Sequence, residues 1–242
     1  MYTKYGISII KGSYNNLVAF PTLKEPEKND WPEEDGQEFD LSVVALDTSE
    51  ISIEFGFRDD LGFGGLIALL SDMGYHNFRF SILGRTYRLR LLSQNSYTIY
   101  PRLEIAKIVF ANDFPHEANY EYQDPINSIA MPKGYEIDNK HLSDYGVIVL
   151  PGSNAEILKT PAVKKNLLQN FKRQDGVIYD GEVVKFQTKE VSLKCLMRAG
   201  TIEAFWRNRD ALLHDLTKLS AKVDDKGYEY SDAERIFYCD EW

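Results

Sequence analysis

The sequence predicts an α+β fold, mainly β, built from two tandem related β-barrel or sandwich domains, each with one packed helix. Two observations carry this. The chain aligns with itself when shifted by 140 residues, and each copy holds an alternating apolar-polar stretch followed by a single helical segment. Repeats come before any other fold argument because they set architecture.

Positions 5–58 face 145–198 without a gap. The opening strand reads "YGISIIKGS" (Tyr5–Ser13) in one copy and "YGVIVLPGS" (Tyr145–Ser153) in the other. Pro151 stands where Lys11 does, which suits a strand end that needs no ladder N–H. Identities continue at Pro21/Pro161, Lys24/Lys164, Asp35/Asp175, Gly36/Gly176, Asp40/Asp180, Thr48/Thr188 and Arg58/Arg198. In the next strand Ile51, Ile53, Phe55 and Phe57 alternate with polar residues, as Val191, Leu193, Cys195 and Met197 do. A period of two describes a strand with one face in a core. It also predicts that Cys195, aligned with Phe55, is a packed thiol rather than a nucleophile.

A helix follows in each copy. "GGLIALLSDMG" predicts a short buried one, with "GFGG" (Gly62–Gly65) as the turn into it and Gly74 as its left-handed cap. "TIEAFWRNRDALLHDLTKLSAK" predicts a longer amphipathic one, capped by Thr201, with Ile202, Phe205, Leu212, Leu213, Leu216 and Leu219 on the apolar face. Past the helices the alignment is expected to resume at a spacing of 150, pairing Phe78 with Tyr228 and Arg85 with Arg235. "RLEIAKIVF" then reads as a further strand that the second copy lacks. Either the sequence stops short of a longer chain, or another chain manages the open edge. The expected division is 1–115 for the first domain, 116–141 for a turn-rich linker, and 142–242 for a second domain incomplete at its C-terminus.

With 242 residues, 43% hydrophobic, the chain has room for two cores. A net charge of −9 argues against a sequence-reading nucleic-acid binder, which gains affinity by neutralising phosphates. No apolar run approaches the roughly 20 residues that span a bilayer, so no membrane partner and a cytosolic site of synthesis are expected. Cys195 and Cys239 are too few for a disulfide scaffold or a Cys-based zinc site. Hydrolase elbow, phosphate loop, zinc-helix pair and dinucleotide fingerprint are all missing, and His76, His116, His141 and His214 are isolated. The expectation is a protein that is not an enzyme and has no catalytic, cofactor or metal residues.

The two copies differ most in the loops 21–36 and 161–176. The first carries two lysines against six carboxylates, the second four basic residues against one aspartate. Charged loops ordinarily stay solvated. The alternative is that they are arms, acidic against basic, that give direction to an assembly. The candidate inter-subunit contacts are then Trp31, Glu33, Glu34 and Asp35 on one arm and Lys164, Lys165, Phe171, Lys172 and Arg173 on the other, with the aligned aromatics as anchors.

The order of strand, long loop, "SEISIEFGFR" strand, helix, "FRFSILGRTYRLRLLS" and "RLEIAKIVFANDFP" resembles the tail-tube-like domains of tailed phages, particularly distal tail and baseplate hub proteins. The second copy follows these cues as far as "AERIFYCDEW". The resemblance implies a structural component of a virion or prophage tail, made in the bacterial cytoplasm and located in the virion tail, with no active site. It implies a homo-oligomeric ring, trimer or hexamer, around the DNA channel and contacts with other tail proteins. The rival reading from the residues is a two-domain β-sandwich binding module for a carbohydrate or cell-surface ligand, using exposed members of the 15 tyrosines.

Overall fold

Ile51, Ile53, Phe55 and Phe57 form the buried face of the strand around which the first copy is built, each no more than 2% exposed. The computed structural model describes residues 7–57, 60–72, 74–101, 103–116, 120–164, 168–179 and 184–240, with backbone alone at Asp60, Leu61, Leu69 and Tyr179. The chain divides into two compact units, Met1–Lys24 with Ala45–Tyr122 and Glu25–Val44 with Gln123–Trp242. Among the described residues the fold is mainly β with three α-helices, and its strand pairings are antiparallel.

In chain order the first copy runs β1 (Ile7–Ile9), β2 (Lys28–Asn29), β3 (Glu38–Phe39), β4 (Ser49–Phe57), α1 (Asp60–Leu70), β5 (Tyr75–Phe80), β6 (Arg85–Tyr100) and β7 (Leu103–Asn112). The first unit is a five-stranded sheet in the order β1-β4-β7-β6-β5, leaving out the β2-β3 hairpin. It does not close into a barrel, since β1 and β5 are its edges. β7 is central, and Ala106, Ile108, Val109, Phe110 and Ala111 are all buried. A strand covered on both faces has no reason to alternate, which explains the imperfect pattern of "RLEIAKIVF".

The second copy is preceded by β8 (Tyr135–Ile137) and β9 (Lys140–His141). It then runs β10 (Val147–Val149), α2 (Ser153–Leu158), β11 (Leu168–Gln169), β12 (Ile178–Tyr179), β13 (Cys195–Met197), α3 (Ile202–Thr217), β14 (Ser220–Val223), β15 (Glu229–Asp232) and β16 (Phe237–Cys239). The core of this unit gathers Tyr135, Leu142, Tyr145, Val147, Ala211 and Leu212. Tyr145, 1% exposed, donates its hydroxyl to Asp215 at 2.6 Å, and Lys140 and Lys218 pair with the same carboxylate. Asn208 is fully buried because its amide serves as a strand partner, accepting from Ile126 N–H at 2.7 Å and donating to Ile126 C=O at 2.9 Å.

The repeat exists in three dimensions. β1 pairs with β4 as Ile7↔Phe57 and Ile9↔Phe55, and β10 pairs with β13 as Val147↔Met197 and Val149↔Cys195. After each opening strand a glycine of positive φ turns the chain, Gly12 at +91° and Gly152 at +93°. The next residue, Ser13 or Ser153, donates its hydroxyl to the carbonyl of Ile10 or Leu150. It also accepts from the N–H of Glu54 or Lys194. The shared "GS" is therefore a latch joining the two strands of each copy. The isolated bridges Leu23↔Leu46 and Val163↔Phe186 keep the same register.

Several expectations are corrected. Cys195 is exposed and Val191 is 43% exposed, so the second copy's alternating strand is not covered as the first is. α1 begins at Asp60, runs through Gly62–Gly65 and stops at Leu70, so "GFGG" is helix rather than an entry turn, and Gly74 lies beyond the helix end. Arg58, Asp59 and Met73 lie outside the described residues. Thr201 does cap α3, accepting from Ala204 N–H at 3.1 Å, but the buried face carries Trp206, Asn208, Arg209, Ala211, Leu212, Leu213 and Asp215, while Leu216 and Leu219 are exposed. The spacing of 150 fails. Hairpins β5-β6 and β14-β15 are the equivalent elements, and their turn glycines of positive φ, Gly84 and Gly227, are 143 apart. The expected linker holds β8 and β9, and β8 pairs with β16.

Candidate functional site

The acidic loop of the first copy is a folded arm that belongs to the second unit. Its two short strands pair as Lys28↔Phe39 and Asn29↔Glu38, and Trp31 Nε1 donates to Glu38 at 3.2 Å while Gln37 donates to Asp30 at 3.1 Å. A turn at residues 31–36 closes the hairpin, with Glu34 N–H bonded to Trp31 C=O.

This arm docks on the edge formed by residues 163–164 and 185–188. Asp35 accepts from Phe186 N–H at 2.8 Å, and Gly36 N–H donates to Phe186 C=O at 2.8 Å. The two bonds form a ladder step. Phe186 is free to make it because the Val163↔Phe186 bridge is held by Lys164 N–H to Lys185 C=O and Gln187 N–H to Ala162 C=O, turning Phe186's own polar groups outward. Gly36 has φ of +72°, a conformation that suits glycine. Lys164, 5% exposed, donates to Asp30 at 2.6 Å and to Trp31 C=O at 2.8 Å, which satisfies a cation that burial would otherwise penalise. The Lys164 bond, then the Gln37 bond, hold the Asp30 carboxyl below its ordinary value. A further bond joins Ala233 N–H to Leu41 C=O at 3.0 Å.

The candidate contacts are thus placed as follows. Asp35 and Lys164 meet opposite ends of the same dock. Trp31 contributes its carbonyl, while its ring is 52% exposed and held by Glu38 rather than seated in a pocket. Glu33 and Glu34 lie exposed in the turn. Phe171, Lys172 and Arg173 lie exposed in the equivalent turn of the basic arm, where Gln174 N–H bonds Phe171 C=O at 3.1 Å. Lys165 lies outside the described residues. Within the chain the acidic arm therefore meets a strand edge at Phe186 and the base of the basic loop at Lys164, and the exposed turn of the basic arm takes no part in this dock. Phe186 and Leu41 are not singled out by the sequence, and neither is identical between the copies. The identities Lys24/Lys164, Asp35/Asp175, Gly36/Gly176 and Thr48/Thr188 surround them, since all fall in this dock or in its counterpart.

Among the described residues no group of three His, Cys, Asp or Glu side chains is placed to hold a metal ion. Cys195, though exposed, lies partly against protein, and this desolvation raises its pKa, which keeps the thiol protonated and a poor nucleophile. An open polar depression of 390 Å³ is lined by Asp124, Pro125, Asn127, Lys140 and Asp144, and its lysine is engaged by Asp215. Among the described residues no helix is long and apolar enough to cross a membrane. Comparison with protein-family models and with curated proteins finds no match.

Proposed function

We propose that the protein is a non-enzymatic structural component of a phage or prophage tail, a distal-tail or baseplate-hub type ring around the DNA channel. The observation that carries this reading is the tandem pair of domains whose opening strands, arms and bridges keep one register. A chain with two quasi-equivalent domains offers each neighbour a related surface, the arrangement a closed ring needs. The resemblance in element order names the kind of ring. The net charge of −9 suits a wall past which DNA slides without adhering.

Negative-stain electron microscopy of the purified chain tests it. The expected particles are rings, of three or six chains, with a central hole wide enough for duplex DNA. Monomers or open fibres throughout would count against the tail reading. Saturable quenching of tryptophan fluorescence by a glycan would favour the binding-module alternative.

A further inference from the structure

We propose that the basic arm of one chain docks on the first copy of a second chain, repeating between molecules the contact that the acidic arm makes within the second unit. Of the reading above this uses only the premise that the chain self-associates.

The repeat supplies both halves. The basic arm has the same build as the acidic one: β11 and β12 pair as Leu168↔Tyr179 and Gln169↔Ile178, 140 residues on from the β2-β3 pairs. Gly176 has φ of +80° against +72° for Gly36. Asp175 and Gly176 therefore present a carboxylate and an N–H as Asp35 and Gly36 do, yet among the described residues neither makes a contact of that kind. On the receiving side, Leu46 is the counterpart of Phe186. Its bridge to Leu23 is held by Lys24 N–H to Ala45 C=O and Asp47 N–H to Thr22 C=O, both 2.8 Å, so its own N–H and C=O turn outward as those of Phe186 do. Lys24, the counterpart of buried Lys164, is exposed, and Asn170 and Phe171 supply the side-chain and main-chain oxygens that Asp30 and Trp31 supply to Lys164.

Charge and apolar surface favour the same pairing. The edge that takes the acidic arm carries Lys164 and Lys185, whereas the edge offered to the basic arm carries Lys24 and Asp47. The acidic arm thus meets a positive edge, and the basic arm meets one on which Asp47 balances Lys24, so that it is spared the repulsion the other edge would give. Val177 and Ile178, 49% and 52% exposed, stand where the acidic arm has Gln37 and Glu38, and Leu23, 54% exposed, lies on the receiving edge. The partner is a second copy of this chain, and the contact is head-to-tail, because arm and edge are different surfaces.

Mixing of two variants followed by sedimentation velocity tests this. Wild-type protein is expected to form oligomers with rising concentration. Asp175→Ala removes the arm's carboxylate and Lys24→Ala removes the edge's cation, both from exposed positions. Each is expected to weaken association roughly ten-fold or more, since a charge-assisted hydrogen bond is lost in every interface. Circular dichroism melts matching wild type show that folding is intact. The two variants mixed are expected to give dimers, because the arm of Lys24→Ala and the edge of Asp175→Ala make one sound interface and no second. A wild type that stays monomeric at its highest soluble concentration, variants that assemble like wild type, or a mixture no larger than its parts would each overturn the proposal. Fibres or rings of the wrong bore that are lost in Asp175→Ala would sink the tail reading and leave this interface standing. Rings that persist in both variants would do the reverse.

Discussion

β4 and β13 are one strand by sequence and by register, yet they sit in different surroundings. Phe55 of β4 is 2% exposed, and its counterpart Cys195 of β13 is exposed outright. The cause is on their flanks. β4 pairs with β1 on one edge and along nine residues with β7 on the other, whereas among the described residues β13 pairs with β10 alone. A period of two therefore encodes which face turns inward, and burial depends on what else is present to cover it. The arms teach the complementary lesson: both are largely exposed, but Gly36 and Gln37 of the acidic one are partly covered where Asp35 and Gly36 bond Phe186, while residues 168–178 of the basic one are exposed throughout.

The sharpest way to break the comparison is to truncate the same position in both copies. Phe55→Ala should lower stability by about 3–5 kcal/mol, as loss of a buried aromatic does. Cys195→Ala should cost less than about 1 kcal/mol, because little packed surface is removed. Urea melts followed by far-ultraviolet circular dichroism compare them, and equal losses would mean that the two strands are equally covered.

Gly146→Ala should come next, at about 3 kcal/mol. Its φ is +72°, and a Cβ there would lie 2.2 Å from the Arg198 carbonyl oxygen, inside the pair that joins Gly146 to β13's exit through Arg198 N–H at 2.8 Å. A thermal melt unchanged by this substitution would contradict the register of the second copy's opening strand.

Asp113 anchors a clamp of the first copy. It lies just past β7, accepts from Arg90 Nε at 2.9 Å and Nη2 at 3.2 Å, and takes the hydroxyls of Tyr75 and Thr48. These bonds, the Arg90 one foremost, hold its carboxyl below the ordinary value. A depressed folded pKa contributes stability that is present above the ordinary aspartate range and is lost as pH falls through the folded value. Asp113→Asn should lower stability at neutral pH by about 1.5–3 kcal/mol and flatten the acid limb of the stability profile. Thr188, the counterpart of Thr48, makes no such bond to a carboxylate among the described residues, so Thr188→Ala should leave the acid limb as it is.

The smallest effect sharpens the likeness rather than the difference. Ser13→Ala and Ser153→Ala each remove one latch and should each cost about 1 kcal/mol. Values differing several-fold would show that the shared "GS" does different work in the two copies.

Legibility in the sequence followed the range of the interaction. The 140-residue register was visible because the opening strands, latches and bridges are built from residues that both copies retain. Covered positions of β4 were visible because sheet geometry imposes alternation. The hairpin equivalence was missed because aromatic-rich strands such as "HNFRF" and "YEYSD" align by composition at a false spacing, whereas the turn glycines Gly84 and Gly227 carry the true one. Gly62–Gly65 read as a turn because glycine opposes helix by about 1 kcal/mol per residue. Packing of Leu66 and Leu70 against the sheet outweighs that local preference. The arm's charge was visible, but its dock was not, since Asp35 meets a main-chain N–H 151 residues away and a backbone partner leaves no pattern in side chains.

The account rests on one contact used twice, and site-resolved amide hydrogen exchange at two protein concentrations reads both uses in one sample. Phe186, bonded to Asp35, should be protected at either concentration, whereas Leu46 should exchange freely when dilute and become protected when concentrated. Leu46 exchanging at the same rate at both concentrations, with oligomers present in the concentrated sample, would contradict it.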